Sequence, residues 1–321
     1  MGVTPATPPR KAVVMRVDFG GCTVAVDGGE MLDVTVRGRV MGVRKALGNT
    51  VVVGDMVGLA QERERTLIDD VAPRRNAFSR RASGERAVEQ VVAANLDQVV
   101  VVASLRDPEF RAGFVDRVLA QAEHSGIPAR LVVNKADLGT PGEPDAIVAD
   151  YARAGHPGHV VCAQTGVGVE HLHQVLRGRR SLFVGHSGVG KSTLLNSLFP
   201  ALALRMGEVN RKTGKGRHTT TAAELFVPEP GVELIDTPGV RSFGLWGIGP
   251  DDLDQSYPEF RPFLGECRFA DCRHGAEPGC ALRAAALADH VAPRRLESYF
   301  KLREELIDEI EGRMRGREPW A

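Results

Sequence analysis

Apolar positions follow three patterns in turn along this chain. Over residues 11–78 they come in short runs (13–17, 22–26, 31–36, 51–53, 56–59 and 66–71), with Gly20-Gly21, Gly28-Gly29 and Gly54-Asp55 between them. Valine-rich runs of that length, punctuated by glycine turns, predict about five β-strands. Five strands in some seventy residues match a small Greek-key barrel of the OB-fold type. From Val99-Val100-Val101-Val102-Ala103 onward, short wholly apolar runs alternate with helically spaced segments as far as about Gly239. That alternation predicts a parallel sheet covered by helices on both faces. Near the C-terminus, Leu296, Tyr299, Phe300, Arg303, Leu306, Ile307, Ile310 and Met314 recur every three or four residues. They predict an amphipathic helix that packs back on the body. The expected organisation is multidomain: a disordered tail over residues 1–10, an OB-fold-like barrel over 11–86, an α/β domain over 87–245 and a mostly helical unit over 246–321.

Composition narrows the class only a little. The chain has 321 residues and a formal net charge of +0, so no global charge points to nucleic acid. Residues 1–86 alone carry 14 Lys/Arg against 10 Asp/Glu, and Arg37, Arg39, Arg44, Arg74, Arg75, Arg80 and Arg81 are candidates for phosphate contacts. No apolar run approaches membrane-spanning length, and residues 1–10 are Pro-rich without a hydrophobic signal segment. Both observations lead to the expectation of a cytoplasmic protein.

Two motifs carry the chemistry of the α/β unit. Gly185-His186-Ser187-Gly188-Val189-Gly190-Lys191-Ser192, continued by Thr193, fits the phosphate-loop pattern G-x-x-x-x-G-K-[ST] without a gap. It follows the strand-like run Ser181-Leu182-Phe183-Val184 and opens a helical one. Such a loop turns backbone N–H groups toward phosphate oxygens at a helix N-terminus. Lys191 supplies a charge for the β- and γ-phosphates, and Ser192 a hydroxyl for Mg²⁺. Asn134-Lys135-Ala136-Asp137 follows the run Arg130-Leu131-Val132-Val133 and fits the guanine-reading N-K-x-D. Asp137 would accept from guanine N1–H and the 2-amino group; adenine lacks those donors. A P-loop ATPase would require Asp137 to be incidental. In an ordinary GTPase the phosphate loop comes first; here the base reader precedes it by about fifty residues. Full matches in reversed order imply a circularly permuted GTPase domain.

Asp236-Thr237-Pro238-Gly239 fits D-x-x-G, with Asp236 toward Mg²⁺ and the Gly239 N–H toward the γ-phosphate. The stretch Gly214-Lys215-Gly216-Arg217-His218-Thr219-Thr220-Thr221 suits a switch segment in which Thr220 completes the Mg²⁺ shell. Classical GTPases place a water-orienting Gln after D-x-x-G; Val240 stands there and can form no such bond, which leaves His218 as the candidate hydrolytic residue. Cys162-Ala163-Gln164 occupies the place of the base-supporting Ser-Ala-Lys motif and matches it poorly.

Cys267, Cys272, His274 and Cys280 fall within fourteen residues near the C-terminus. Three thiolates and an imidazole make a closed tetrahedral set of the kind that holds structural Zn²⁺. With five cysteines in all, an odd number, this reads as metal binding in a reducing compartment rather than a disulfide framework.

A small barrel, a permuted GTPase core and a Cys-x4-Cys-x-His-x5-Cys module in this order resemble the ribosome small-subunit-dependent GTPase A (RsgA/YjeQ) family. The resemblance rests on NKAD, GHSGVGKST, GRHTTT, DTPG and the cysteine cluster. It implies GTP hydrolysis stimulated by the 30S ribosomal subunit and a role in late small-subunit maturation with 16S rRNA contacts. It also implies the hydrolytic role of His218, and a monomer that engages neither DNA nor membrane. The permutation leads from D-x-x-G directly into the C-terminal unit. On sequence alone, a switch movement is expected to pass straight along the chain to that unit.

Overall fold

The structure is a computed structural model that describes residues 10–18, 21–38, 40, 50–62, 65–82, 88–201, 223–237 and 243–315. Alternation governs the first part: along β2 (Gly21–Val26), Cys22, Val24 and Val26 point inward and their neighbours outward. β1 (Arg10–Asp18), β2, β3 (Met31–Val36), β4 (Met56–Glu62) and β5 (Arg65–Val71) pair in the order β1-β2-β3-β5-β4, and β4 returns to β1. The sheet therefore closes on itself around Val14, Val24, Val34, Val57, Leu59 and Ile68.

Residues 51–53, expected as a strand, form a buried bend and turn instead. The Asp55 carboxylate accepts the Val52 N–H at 2.8 Å, and the Asp55 N–H reaches Val52 O at 3.1 Å. Gly54 then takes φ +90°, and a Cβ there would stand 2.3 Å from Ala94 O. A hairpin of β6 (Ala77–Arg81) and β7 (Glu89–Ala94), which periodicity did not indicate, spans the expected boundary between the first two units.

The central unit is built on β8 (Gln98–Ser104), buried along its whole length because it has parallel neighbours on both sides. With β9 (Ala129–Asn134), β10 (Gly158–Val160), β11 (Arg179–Gly185), β12 (Glu224–Glu229) and β13 (Val232–Asp236), the order is β10-β9-β8-β11-β13-β12. Only β12 runs antiparallel, and it also pairs with β1 of the barrel at Arg16 and Glu224. Helices α1 (Ala112–His124) and α2 (Glu143–Arg153) lie toward one apolar core, α3 (Val169–Leu176) and α4 (Lys191–Leu198) toward the other.

Beyond residue 243 come short helical turns, α5 (Ala281–Leu287) and the long α6 (Pro293–Arg315). As the periodicity predicts, α6 buries Tyr299 and Leu306, along with Leu302, and it packs on α1; Ile310 stays exposed. One buried position on it is charged. Arg295 is 1% exposed, bonds Asp116 of α1, reaches Glu259 at 2.7 Å, and lies over the Tyr257 ring at 4.5 Å. Arg294 pairs with Asp150 of α2, and Arg117 of α1 with Glu305. These ion pairs dock the C-terminal unit on the α/β unit. Among the described residues no helix is long and apolar enough to cross a membrane.

Candidate functional site: a nucleotide pocket and a metal cluster

The base-reading tetrad leaves the carboxyl end of β9, the phosphate loop leaves that of β11, and β8 lies between them. Both loops therefore open on the same edge of the sheet, where ligands bind in open α/β folds. Asn134 ties them together. Its buried side chain donates to Val189 O at 3.0 Å and accepts the Ala163 N–H at 3.1 Å. Gly190 is required there: at φ +85°, a Cβ would stand 2.5 Å from Asn134 Nδ2. One amide thus fixes the spacing of the phosphate loop, the tetrad and the fifth motif.

The residues in the place of the fifth motif lie against the tetrad. Cys162, buried in the loop after β10, directs its Sγ to Asp137 Oδ1 at 3.0 Å. Lys135 takes a left-handed backbone (φ +57°) and its ammonium bonds Asp107 O. Asp107, Asn134, Lys135, Asp137, Cys162 and Thr193 are among the residues lining a cleft of about 240 Å³. The Lys135 stem, Ala163 and the Asp137 carboxylate all face this cleft, a composition that can receive a planar base.

Lys191, at the start of α4, is 7% exposed and bonds both Asp236 and the Thr237 carbonyl. Burial pushes the Asp236 carboxyl above its ordinary range, while the neighbouring ammonium pulls it down. Thr237 is held by its hydroxyl to Phe183 O at 2.8 Å, which fixes the end of β13 against the phosphate-loop strand. Ser192, in the first turn of α4, and Asp236, the last residue of β13, are hard oxygen donors, the donor type Mg²⁺ takes. Gly185, His186, Ser187 and Gly188 complete the loop. His186 meets Arg111 at 3.1 Å and the edge of Phe114, two α1-side residues that the motif could not reveal. His218, Thr220, Gly239 and Val240 lie outside the described residues, as do Arg39 and Arg44.

The C-terminal cluster is assembled. One ligand atom from each of Cys267, Cys272, His274 and Cys280 lies within 4.8 Å of the others. His274 Nδ1 faces Cys267 Sγ at 3.5 Å and Cys280 Sγ at 3.6 Å, while its Nε2 faces Asp254 at 3.6 Å. The N–H groups of His274 and Ala281 donate to Cys272 Sγ at 3.4 Å and Cys267 Sγ at 3.3 Å. Backbone donors aimed at sulfur stabilise thiolate charge, so this donor set fits a tetrahedral thiophilic cation.

The barrel arginines are largely spoken for. Arg37 pairs with Asp69 and Glu62, Arg74 with Asp55, Arg75 with Asp97 and Arg81 with Glu309, while Arg80 bonds the neutral Gln90.

Comparison with known proteins agrees with this geometry. The profile of the family described as RsgA GTPase matches residues 71–246. The small ribosomal subunit biogenesis GTPase RsgA of Gemmatimonas aurantiaca is 44% identical over 299 residues, 92% of this chain and 97% of that one. Its namesake in Bacteroides fragilis is 36% identical over 312 residues, 95% of this chain and 99% of its own. The crystal structure of YjeQ from Thermotoga maritima superposes with TM-score 0.73 at 29% identity, covering 93% of this chain and 98% of that one. YloQ, described as a circularly permuted GTPase, shares the fold with TM-score 0.69 at 20% identity over the full length of both chains.

Proposed function

The chain belongs to the RsgA GTPase family and is a GTP hydrolase, and on that premise we propose that its turnover is stimulated by the 30S ribosomal subunit. It acts in late maturation of that particle, in the cytoplasm, as a monomer touching 16S rRNA. The observation that carries this reading is likeness over nearly the whole chain to relatives named for small-subunit biogenesis, supported by a cleft at Asn134, Lys135 and Asp137 and an assembled Cys₃His cluster.

The residues divide the work. Asp137 reads guanine, with Cys162 and Ala163 behind the base, and Asn134 holds the two loops in register. Backbone N–H groups from Gly185 to Thr193 and the Lys191 ammonium take the phosphates. Ser192, Asp236 and Thr220 would hold Mg²⁺, which when bound would supply positive charge against the phosphates. The Gly239 N–H meets the γ-phosphate, and His218 orients the attacking water, because Val240 cannot. Cys267, Cys272, His274 and Cys280 hold one structural Zn²⁺. Since most described barrel arginines already have carboxylate partners, the reading places less of the RNA contact on them than charge counting alone would.

The deciding measurement is GTP turnover with and without purified 30S subunits, with 70S ribosomes as a control. Stimulation by free 30S is expected. Equal rates with and without 30S would leave a GTPase with a different partner, and stimulation by 70S alone would indicate a factor acting in translation.

A further inference from the structure

The loop between β8 and α1, residues 105–111, touches both halves of the nucleotide site. The buried Ser104 hydroxyl donates to Pro108 O at 2.6 Å and the Phe110 N–H to Leu105 O at 3.2 Å, so the loop is fixed on itself. Its Asp107 carbonyl takes the Lys135 ammonium of the base-reading tetrad. Its far end backs the phosphate loop: a Cβ on Gly188 would lie 3.4 Å from Pro108 Cδ, and the rings of Phe114 and His186 meet edge-on at 6.0 Å.

Arg111 is the N-cap residue of α1. An N-cap is best filled by Ser, Thr, Asp or Asn, and a cation there faces the positive end of the helix dipole. Arg111 makes no capping bond with its side chain; its guanidinium reaches the phosphate loop instead and meets His186 Nε2 at 3.1 Å. A guanidinium can only donate, so Nε2 must accept. The other ring nitrogen, Nδ1, lies 2.9 Å from Ser187 O, which can only accept. The two partners together admit one tautomer, with the proton on Nδ1 and the lone pair on Nε2.

That tautomer holds Ser187 O on the outer side of the phosphate loop, where Arg111 and Phe114 stand. In a trans peptide the carbonyl and the next N–H point to opposite sides. The Gly188 N–H is thus turned inward, and among the described residues it has no acceptor. Inward-facing N–H groups are what such a loop offers to phosphate oxygens.

With residues 185–193 taken as the phosphate-binding loop, we infer that Arg111 is a positioning residue for phosphate binding: it sets the His186 tautomer and, through Ser187 O, the direction of the Gly188 N–H. Arg111 is exposed and His186 half-buried, so either side chain can be removed without opening the core.

GDP and GMP separate this role from a general loosening of the pocket, since they share the base and only GDP carries a β-phosphate for the loop. In equilibrium titrations, Arg111→Ala and His186→Ala should each weaken GDP about threefold to tenfold and leave GMP within about twofold. Because Arg111 works through His186, adding Arg111→Ala to His186→Ala should change GDP affinity by less than about 1.5-fold. Parental GDP affinity in either single variant overturns the role given to Arg111. Equal losses for GMP and GDP overturn it too, by marking a merely structural contact. A full further loss in the double variant does the same, since Arg111 would then act on the phosphates directly by charge. A parent that binds GMP as tightly as GDP removes the phosphate-loop reading and this role with it; a parent that prefers GDP leaves that reading standing whatever the variants do.

Discussion

The sulfur of Cys162 lies 3.0 Å from a carboxylate oxygen of Asp137, with its S–H directed at that oxygen. The motif that matched its pattern least well therefore still supplies a donor behind the base reader. A thiol is a weaker donor than a hydroxyl, so the contact steers the carboxylate more than it strengthens the site. Cys162→Ser should keep or slightly improve GTP affinity, and Cys162→Ala should weaken it by about threefold to tenfold, in line with losing one modest hydrogen bond. Asp137→Asn should cost about 1.5–3 kcal/mol, roughly 10- to 150-fold, and shift preference toward xanthosine triphosphate. Equilibrium titration with labelled nucleotides measures all three; unchanged GTP affinity in Asp137→Asn would remove the base-reader role.

Asp254 faces the ring nitrogen of His274 on the side away from the thiols. A carboxylate there orients the imidazole and raises its basicity, so Asp254→Asn should lower zinc affinity by about 10- to 100-fold with every ligand intact. Cys272→Ala should abolish stoichiometric zinc and loosen the C-terminal unit while β8 to β13 stay folded. Elemental analysis of protein purified without chelator, paired with competition against a zinc indicator, reads both outcomes. Full metal content in Cys272→Ala would disprove the assignment.

His156 is buried, and burial together with nearby Arg295 and Arg261 lowers its pKa from 6.5 to about 3. The unfolded chain takes up a proton below pH 6.5 that the folded chain refuses. Its contribution is thus fully present above that pH and falls by about 1.4 kcal/mol per unit as pH drops toward the folded value. Urea unfolding between about pH 7 and 4 should show this slope, flattened by about one proton in His156→Gln. Parallel curves for parent and variant would mean that the ring is protonated in the folded protein.

His218→Ala should leave GTP affinity nearly unchanged, because the phosphate loop and Mg²⁺ provide the ground-state binding. It should lower 30S-stimulated kcat by about 10²-fold or more, the loss expected for one positioned acid–base group. Wild-type turnover on saturating 30S would assign the water to another group, including one supplied by the ribosomal particle.

Local chemistry was legible in the sequence, and long-range chemistry was not. Gly190 could be read from its motif because only a residue without Cβ fits beside Asn134. The cluster of Cys267, Cys272, His274 and Cys280 could be read because all four lie within one short stretch. Valines 51–53 misled, because a β-rich run says nothing of the Asp55 carboxylate that folds it into a turn. Arg295 was invisible: on a helix whose apolar stripe is plain, an arginine beside it reads as solvated, and its partner Asp116 is 179 residues away in sequence. Arg111 was hidden for the same reason, since its partner His186 lies 75 residues away.

The pairing of Arg16 with Glu224 sets a timetable for biosynthesis. The barrel leaves the ribosome first, the guanine-reading strand next, then the phosphate loop, and the strand ending in Asp236 last. A nascent chain can close its barrel around β1, β2 and β4 while the Arg16 end of β1 still lacks its β12 neighbour. Base and phosphate cannot both be gripped until about three-fifths of the chain has been made, and Asp236 follows at nearly three-quarters. In a GTPase of ordinary order the phosphate loop is available from the start. Here GTP can be engaged at both ends only by a chain whose barrel and more than half of its length already exist, and the strand ending in Asp236 arrives with the one that seals the barrel to it.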